Sequence, residues 1–258
     1  MANSMRDIQD RMNTVKGTSQ ITNAMKLVSM SKYQRYVRKS MGLEEFMKEM
    51  DRLPTADKDI TRLDTKNGLA ICFSADLGLA SLYHNTMYKE LKSSGIENVL
   101  WIGKKLYDRV KKDYEITVIN DQVMSSEDVD MDELFELVLQ LKDEYQIFVA
   151  RPRLVSGESI EVEWKIADKI LLDDEITEFY PDYESAIDSF VKMNLLLTLY
   201  DAFYSSKTTE HMIRRLAMDT ATDNAQALHD DLQLQYNRLR QEKITQEILE
   251  LSSGLESR

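Results

Sequence analysis

One loop of the sequence has residue types that could bind a phosphate group. The segment Ser74-Ala-Asp-Leu-Gly-Leu-Ala-Ser81 follows a short apolar run and precedes a helix-like stretch, and the N–H groups at the start of a helix attract anions. The segment has one glycine, whereas a dinucleotide fingerprint has three, and it lacks the Gly-Lys-Ser/Thr of a phosphate loop. We therefore interpret it as an ordinary strand-to-helix turn and predict no cofactor.

Other residue types with catalytic potential are scattered along the chain. The histidines His84, His211 and His229 have no partner at ligand spacing among themselves or with Cys72, so the pattern indicates no metal site. The sequence contains no Gly-x-Ser-x-Gly elbow, and adjacent carboxylates on a helix point in different directions. We predict no catalytic residue and no metal-binding residue in this chain.

Composition narrows the class of protein. The chain has 258 residues, of which 43% are hydrophobic and 30% charged, with eight glycines and three prolines; this is typical of a soluble and largely helical protein. No stretch approaches the ~20 apolar residues that cross a bilayer. The single cysteine, Cys72, lies in an apolar run, so we expect a buried thiol and a reducing compartment.

The charge of the chain is unevenly distributed. A net charge of −12 argues against nucleic acid as the main partner, because phosphate binding needs a concentrated basic surface. Residues 1–40 nevertheless contain eight lysines and arginines against two aspartates. This arm is either a solvated helix face or a surface that attracts an acidic partner.

The sequence predicts a long helix at each end of the chain. An apolar stripe at three- and four-residue spacing predicts a helix over 5–49, which Leu53-Pro54 ends; its members are Ile8, Met12, Val15, Ile21, Met25 and Val28. Residues 182–253 contain neither glycine nor proline, and a helix of that length would extend roughly 105 Å. Such a helix is longer than a compact domain of this size, so we predict that the two helices pair antiparallel.

The middle of the chain alternates between strand and helix patterns. Short apolar runs begin at residues 68, 98, 115 and 146, with helical stretches near 81–93, 104–112 and 126–143, and residues 162–166 suit an edge strand. The predicted fold class is α/β: a long antiparallel coiled coil of the N- and C-terminal helices with an inserted small, Rossmann-like α/β domain. The predicted segments are 1–53, 66–180 and 182–254.

Strings at both ends of the chain resemble the γ subunit of F-type ATP synthase. The string Arg11-Met-Asn-Thr-Val-Lys-Gly-Thr-Ser-Gln-Ile-Thr-Asn-Ala-Met-Lys-Leu-Val-Ser-Met-Ser-Lys32 is similar to the opening helix of that family. Residues 214–224 and 232–241 are similar to its final helix. Residues 244–254 match its signature of Ile-Thr-x-Glu, a second acid three residues on, and a glycine four beyond that.

The resemblance implies a non-catalytic rotor shaft. In this family the terminal helices turn inside a ring of alternating α and β subunits (α3β3), and the central domain lies beside the ε subunit and the membrane c-ring. The chain would transmit torque and so couple proton flow to ATP synthesis or hydrolysis on β. The implied location is peripheral, on the cytoplasmic face of a bacterial plasma membrane, with membrane contact only through the c-ring.

The resemblance also implies which residues contact the α/β ring. Two fall in the family's Ala-Met-x-x-Val segment near the β lever, and two match the Arg-Gln pair of its catch region, with three more on the same helix. A guanidinium there offers directed donors to carboxylate or carbonyl groups on β. The implied contacts are Met25, Lys26, Arg240, Gln241, Thr245, Glu247 and Glu250.

Departures from the family pattern leave alternatives open. Where the family commonly has Ser-Asp-Arg-Gly-Leu-Cys-Gly-Gly, this chain has Leu77, Ala80 and Ser81 in place of the arginine, the cysteine and a glycine. A γ-like shaft of a paralogous, specialised F1-like ATPase is therefore one alternative. A generic coiled-coil scaffold would explain the periodicity but not the strings, and a small nucleotide-binding enzyme would need a phosphate loop.

Overall fold

Two long helices bracket the chain in the computed structural model, which describes residues 2–51, 67–156, 159–167 and 183–256. Helix α1 spans Ala2–Asp51 and helix α5 spans Tyr183–Glu256. Gly17 and Gly42 lie within α1, and Gly254 lies within α5. The predicted end of the first helix at Leu53-Pro54 lies outside the described residues.

A five-stranded sheet with short helices lies between the two long helices in sequence. Its strands are β1 (Gly68–Phe73), β2 (Asn98–Ile102), β3 (Thr117–Val118), β4 (Gln146–Ser156) and β5 (Ser159–Ile166). The short helices are α2 (Ser81–Ser94), α3 (Tyr107–Lys111) and α4 (Met131–Leu141). Helix α4 begins later than predicted because the carboxylate of Asp130 caps it, accepting hydrogen bonds from the N–H groups of Asp132 and Glu133.

The strand order is β3-β2-β1-β4-β5. Strands β1, β2, β3 and β4 are mutually parallel, whereas β5 pairs antiparallel with β4. The predicted edge strand at 162–166 is confirmed as part of β5, which begins earlier, at Ser159, and lies at one edge of the sheet. All six residues of the central strand β1 are buried, as expected for a strand with neighbours on both sides and covered faces.

One hydrophobic core holds the sheet and the adjoining part of α5 together. Leu69, Ile71 and Phe73 of β1 pack in the same buried cluster as Leu195 and Leu199 of α5. Burial of such side chains contributes roughly 1.5–3 kcal/mol each. The thiol of Cys72 is fully buried, as expected, and burial raises its pKa well above the usual value.

The contacts within the chain divide it into two units. Unit 1 comprises 1–29 with 215–258, and unit 2 comprises 30–214. The boundary cuts through both long helices, whereas the predicted segments 1–53, 66–180 and 182–254 follow the elements. No described helix is long and apolar enough to cross a membrane.

In unit 1 the two helices run antiparallel, and they bury polar side chains such as Thr22 as well as the apolar Met12, Met218 and Leu232. The hydroxyl oxygens of Thr22 and Thr222 lie 2.8 Å apart, and Thr22 is buried. The predicted apolar stripe is partly wrong, because Ile21 and Val28 are 63% and 58% exposed. Threonine can occupy this seam because its hydroxyl also donates to the carbonyl of Ser19, so burial leaves no polar group unpaired.

Candidate functional site

The structure places the predicted contact residues in two separate groups within unit 1. Lys26 of α1 lies against Asp219 of α5, with 2.7 Å between the ammonium nitrogen and a carboxylate oxygen, and Met25 beside it is half-buried. Arg240 lies further along α5, roughly 30 Å beyond Asp219 at ~1.5 Å per residue. The predicted residues therefore form two levels along the helix pair rather than one cluster.

Lys26 has an acidic partner within this chain. The ammonium group of Lys26 lowers the pKa of Asp219 by donating a hydrogen bond to its carboxylate. The Lys26 side chain remains 31% exposed and that of Asp219 38% exposed. A second basic residue of the N-terminal arm, Lys32, pairs with Glu127, so part of the charge of this arm is balanced by acidic groups of the chain itself.

The second group lies on a fully exposed stretch of α5. Every residue from 240 to 251 is exposed, and the described side chains bond mainly along the helix. The hydroxyl of Thr245 donates to the carbonyl of Gln241 at 2.9 Å, and the carboxylate of Glu247 lies 3.6 Å from the ammonium group of Lys243. Among the described residues, the guanidinium of Arg240 has no hydrogen-bond or ion-pair partner, which leaves its donors available.

Large apolar side chains share this exposed stretch. Ile248, Leu249 and Leu251 are 60%, 64% and 69% exposed. Several large apolar side chains exposed along one stretch of helix are typical of a surface that another protein covers. The isolated chain therefore presents at this end a surface suited to a partner.

Unit 2 contains a buried polar cluster that the sequence analysis did not single out. Lys207, Glu210, His211 and Arg214 lie on one face of α5 and are at most 4% exposed. With Lys32 and Glu127 we call them the buried ion network. Their three- and four-residue spacing continues the apolar face of α5, so charged residues in an otherwise apolar register were the signal that could have revealed them.

The buried ion network alternates positive and negative groups. The guanidinium of Arg214 lies 2.7 Å from a carboxylate oxygen of Glu210, whose other oxygen is 3.3 Å from the ammonium group of Lys207. That ammonium group is also 3.5 Å from one carboxylate oxygen of Glu127, and Lys32 lies 2.9 Å from the other. Three cations therefore surround two carboxylates, and the buried charges of Lys207, Glu210 and Arg214 are all paired.

The loop first considered as a phosphate site instead binds to this network. Arg214 donates to the backbone carbonyls of Gly78 and Leu77 at 3.1 and 3.2 Å. The carboxylate of Asp76 accepts from the N–H group of Lys104 and from the N–H group of Glu127 at 2.9 and 2.8 Å. The loop thus presents carbonyl oxygens to a cation, which suits the interpretation as a structural turn.

Hydrogen bonds keep Asp76 ionised. Burial alone would raise the pKa of its carboxyl group, but the bonds from the hydroxyl of Ser125 and from the N–H groups of Glu127 and Lys104 outweigh burial and hold that pKa below the usual range. A charged Asp76 therefore fastens the segment before α4 to the loop after β1.

His211 is neutral within the network. Burial, with the nearby charges of Arg214, Lys32 and Lys207, lowers its pKa to about 3. Its ring stacks on that of Tyr36 at 5.6 Å between centroids, and its Nδ1 atom lies 3.1 Å from the guanidinium of Arg214. Because Arg214 can only donate, Nδ1 acts as the acceptor.

Three of these groups have the chemistry of metal ligands. Ligand atoms of Glu127, Glu210 and His211 lie within 4.8 Å of one another. Both carboxylates, however, already accept from lysine or arginine groups. A divalent ion would add charge to a site in which cations already outnumber anions, so we interpret the cluster as an ion-pair network.

Comparison with known proteins gives matches along the whole chain. The family model described as ATP synthase matches residues 4–257. The ATP synthase gamma chain of Alkaliphilus metalliredigens is 31% identical, covering 100% of this chain and 99% of that protein. The gamma chain of Christiangramia forsetii is 29% identical with the same coverage.

Solved structures share the fold. A chain in the rotor of the Euglena gracilis mitochondrial ATP synthase matches with a TM-score of 0.68 at 17% identity, covering 95% of this chain and 100% of that chain. A chain in the central stalk and c-ring of the Tetrahymena thermophila mitochondrial ATP synthase matches with a TM-score of 0.58 at 16% identity, covering 78% and 99%.

Proposed function

Because this chain belongs to the ATP synthase family and matches its gamma chains over its full length, we propose that it is the central-stalk rotor that transmits torque between a membrane c-ring and catalytic β subunits. The observation that carries the proposal is the full-length match of two antiparallel helices with an inserted α/β domain. Proton flow would thereby be coupled to ATP synthesis or hydrolysis.

The exposed stretch at 240–251 suits the contact with an α3β3 ring. Arg240 and Gln241 can donate directed hydrogen bonds to a partner, while Ile248 and Leu249 offer apolar area about two turns further along the helix. Charge-assisted bonds at an exposed helix surface can form and break as the partner changes state. Thr245, Glu247 and Glu250 follow on the same stretch.

Met25 and Lys26 are the proposed contacts at the second level of the helix pair. Since Lys26 already pairs with Asp219, an acidic group on β would have to share or replace that carboxylate. This makes the contact reversible, because exposed ion pairs contribute little to stability and exchange partners readily.

Unit 2 is the proposed partner of the ε subunit and the c-ring. No step of ATP chemistry is assigned to the chain, since in this proposal the nucleotide sites belong to β. The chain would lie at the cytoplasmic face of a bacterial plasma membrane and reach the bilayer only through the c-ring.

Co-assembly tests the proposal. Mixed with the cognate α and β subunits, the chain should give a complex that native mass spectrometry resolves as one copy of it with three α and three β. The control is the same mixture without this chain. A stable free homodimer with no affinity for α and β would overturn the rotor function and favour a coiled-coil scaffold.

The catch contacts can be tested separately. Replacing Arg240 and Gln241 by alanine should lower the ATPase rate of the assembled complex several-fold, because partner contacts made in only some rotational states are lost. The unfolding free energy of the isolated chain should stay within about 0.5 kcal/mol, since both side chains are exposed. Arg238→Ala, whose guanidinium bonds to Glu242 on the same helix, is the control; equal effects of both variants would contradict the assignment.

One observation favours the specialised F1-like ATPase as a second candidate. In place of the family's arginine the loop after β1 carries Leu77, which is 57% exposed, and Leu79 nearby is 51% exposed. Two exposed leucines on one loop suit an apolar partner different from the one a guanidinium would contact. Purifying the native complex and identifying its subunits by mass spectrometry distinguishes the two candidates.

A further inference from the structure

The ammonium group of Lys207 is buried in the middle of α5. The residue is 1% exposed, and its nitrogen lies 2.9 Å from the hydroxyl of Ser126, which is itself fully buried. The same nitrogen lies 3.3 Å from Glu210 and 3.5 Å from Glu127. An ammonium group removed from water loses several kcal/mol of solvation, which these partners must offset.

Lys207 joins the two carboxylates of the buried ion network. Glu210 leads to Arg214, which donates to the carbonyls of the loop after β1. Glu127 leads to Lys32 of α1. Through Lys207 the alternating charges therefore form one connected path from α1, across the segment before α4, to α5 and the loop after β1.

The backbone of Glu127 is held in place by hydrogen bonds that do not involve its side chain. Its backbone N–H group donates to a carboxylate oxygen of Asp76 at 2.8 Å, and the hydroxyl of Ser125 donates to the same oxygen at 2.7 Å. The carboxylate of Glu127 is thus presented from a segment tied to the sheet. Cations of both long helices meet it, Lys32 from α1 and Lys207 from α5.

An apolar residue at position 207 would hold α5 to the domain by burial alone. Buried ion pairs are often no more stabilising than well-packed apolar residues, and their best-attested use is to select one register. An apolar face can pack in neighbouring registers at similar cost, whereas a buried charge displaced from its partner is strongly penalised. The position of Lys207 therefore suits a role in alignment.

We propose that Lys207 is a positioning residue that fixes α5 in register and rotation against the segment carrying Ser126 and Glu127. Through Glu127 and Lys32 it fastens α1 to the same segment, so that a turning force on the α/β domain reaches both helices without slip. This rests on the proposed rotor function. It concerns only unit 2 and adds no contact with another subunit.

Rotation under load tests the proposal. The chain, assembled with its cognate α and β subunits, carries a bead on the α/β domain through Lys89→Cys at an exposed position of α2. Torque produced on the helices then reaches the bead only through the attachment of the helices to the domain. Lys207→Met, which keeps the length of the side chain without its charge, should leave unloaded ATPase within about twofold and lower the rotation rate of a large bead at least threefold.

The controls separate alignment from general stability. Lys207→Arg, which restores a buried cation, should recover most of the loaded rate. Lys192→Met removes an exposed lysine of the same helix that pairs with Asp188, and should change neither rate. If Lys207→Met does not assemble, Glu127→Gln provides the same test from the partner's side and should also lower the loaded rate selectively.

The outcomes distinguish the two proposals. Loaded rotation that is unchanged in Lys207→Met and in Glu127→Gln overturns the positioning role and leaves the register to the apolar core and to contacts such as that of Asp201 with Lys165. Failure of the unmodified chain to assemble with α and β overturns the rotor function itself. Equal loss of loaded and unloaded rates in Lys207→Met, unrelieved by Lys207→Arg, also contradicts the positioning role.

Discussion

Helix α5 has charged residues in both units, but the burial and the bonding partners of these residues differ between the units. In unit 2, Glu210 is 1% exposed and bonds to cations on either side of it. In unit 1, Glu242 is 50% exposed and bonds to Arg238 one turn away on the same helix. The same residue type is thus a fixed part of the interior in one unit and a local surface pair in the other.

This difference in burial determines how readily the ion pairs of each unit can be exchanged. Buried pairs resist displacement because losing one partner strands a charge away from water. Exposed pairs exchange readily with water or with groups on another protein, at a cost of about 1 kcal/mol or less. Unit 2 therefore keeps its internal ion pairs, whereas the exposed part of unit 1 can exchange its ion pairs for contacts with another protein.

Removing one glutamate from each unit measures this difference most directly. Glu210→Ala should lower the free energy of unfolding by about 3–5 kcal/mol, because Lys207 and Arg214 lose their shared carboxylate in the interior. Glu242→Ala should lower it by less than about 1 kcal/mol. Urea unfolding of the isolated chain, followed by circular dichroism and by fluorescence of buried Trp101, measures both values. Similar losses of unfolding free energy in the two variants would contradict the proposed difference between the units.

A glycine from each unit should respond to alanine with opposite signs. Gly103 in unit 2 has φ +122°, and a Cβ atom there would lie 2.5 Å from the carbonyl oxygen of Ser74. Gly103→Ala should therefore cost at least about 1–3 kcal/mol from backbone strain alone. Gly17 in unit 1 is helical with open space around it, so Gly17→Ala should stabilise by up to about 1 kcal/mol. Thermal unfolding would detect both; a stabilised Gly103→Ala would contradict the described geometry.

The smallest effect is expected at the ion pair of unit 1. Lys26 lowers the folded-state pKa of Asp219, so the pair stabilises the fold above the unfolded pKa of an aspartate, near 3.9, and that contribution is lost as the pH falls through the lowered value. In Lys26→Met the pKa of Asp219, followed by NMR titration, should rise toward its ordinary value. Lys16→Met, which alters an exposed lysine of the same helix, should leave the titration unchanged.

The elements of the fold could be predicted because their signals are local. The long run without glycine or proline indicated α5, and the alternating residues near Trp164 indicated strand β5. Pairing within the sheet follows from general rules for alternating strands and helices. Boundaries were less accurate, since a capping carboxylate such as that of Asp130 decides where a helix begins.

The sides of the helices and the buried network could not be predicted in the same way. A stripe of Ile21, Met25 and Val28 is consistent with helical spacing, but the described seam buries Thr22 instead. Likewise, nothing local to Lys207 indicates that Ser126 and Glu127, distant in sequence, lie within reach of its nitrogen. The charged residues in the apolar register of α5 are visible in the sequence, but their partners depend on the tertiary structure, and a single sequence does not reveal those.

The buried thiol of Cys72 has a practical consequence for observing this molecule in motion. It is the one cysteine of the chain, it is fully enclosed, and thiols react as thiolates, which burial disfavours. A cysteine introduced at an exposed position such as Lys89 would therefore react selectively with a maleimide dye or a biotin, and Cys72 would not have to be replaced first. The native chain is therefore suited to the attachment of an optical probe at a single chosen site.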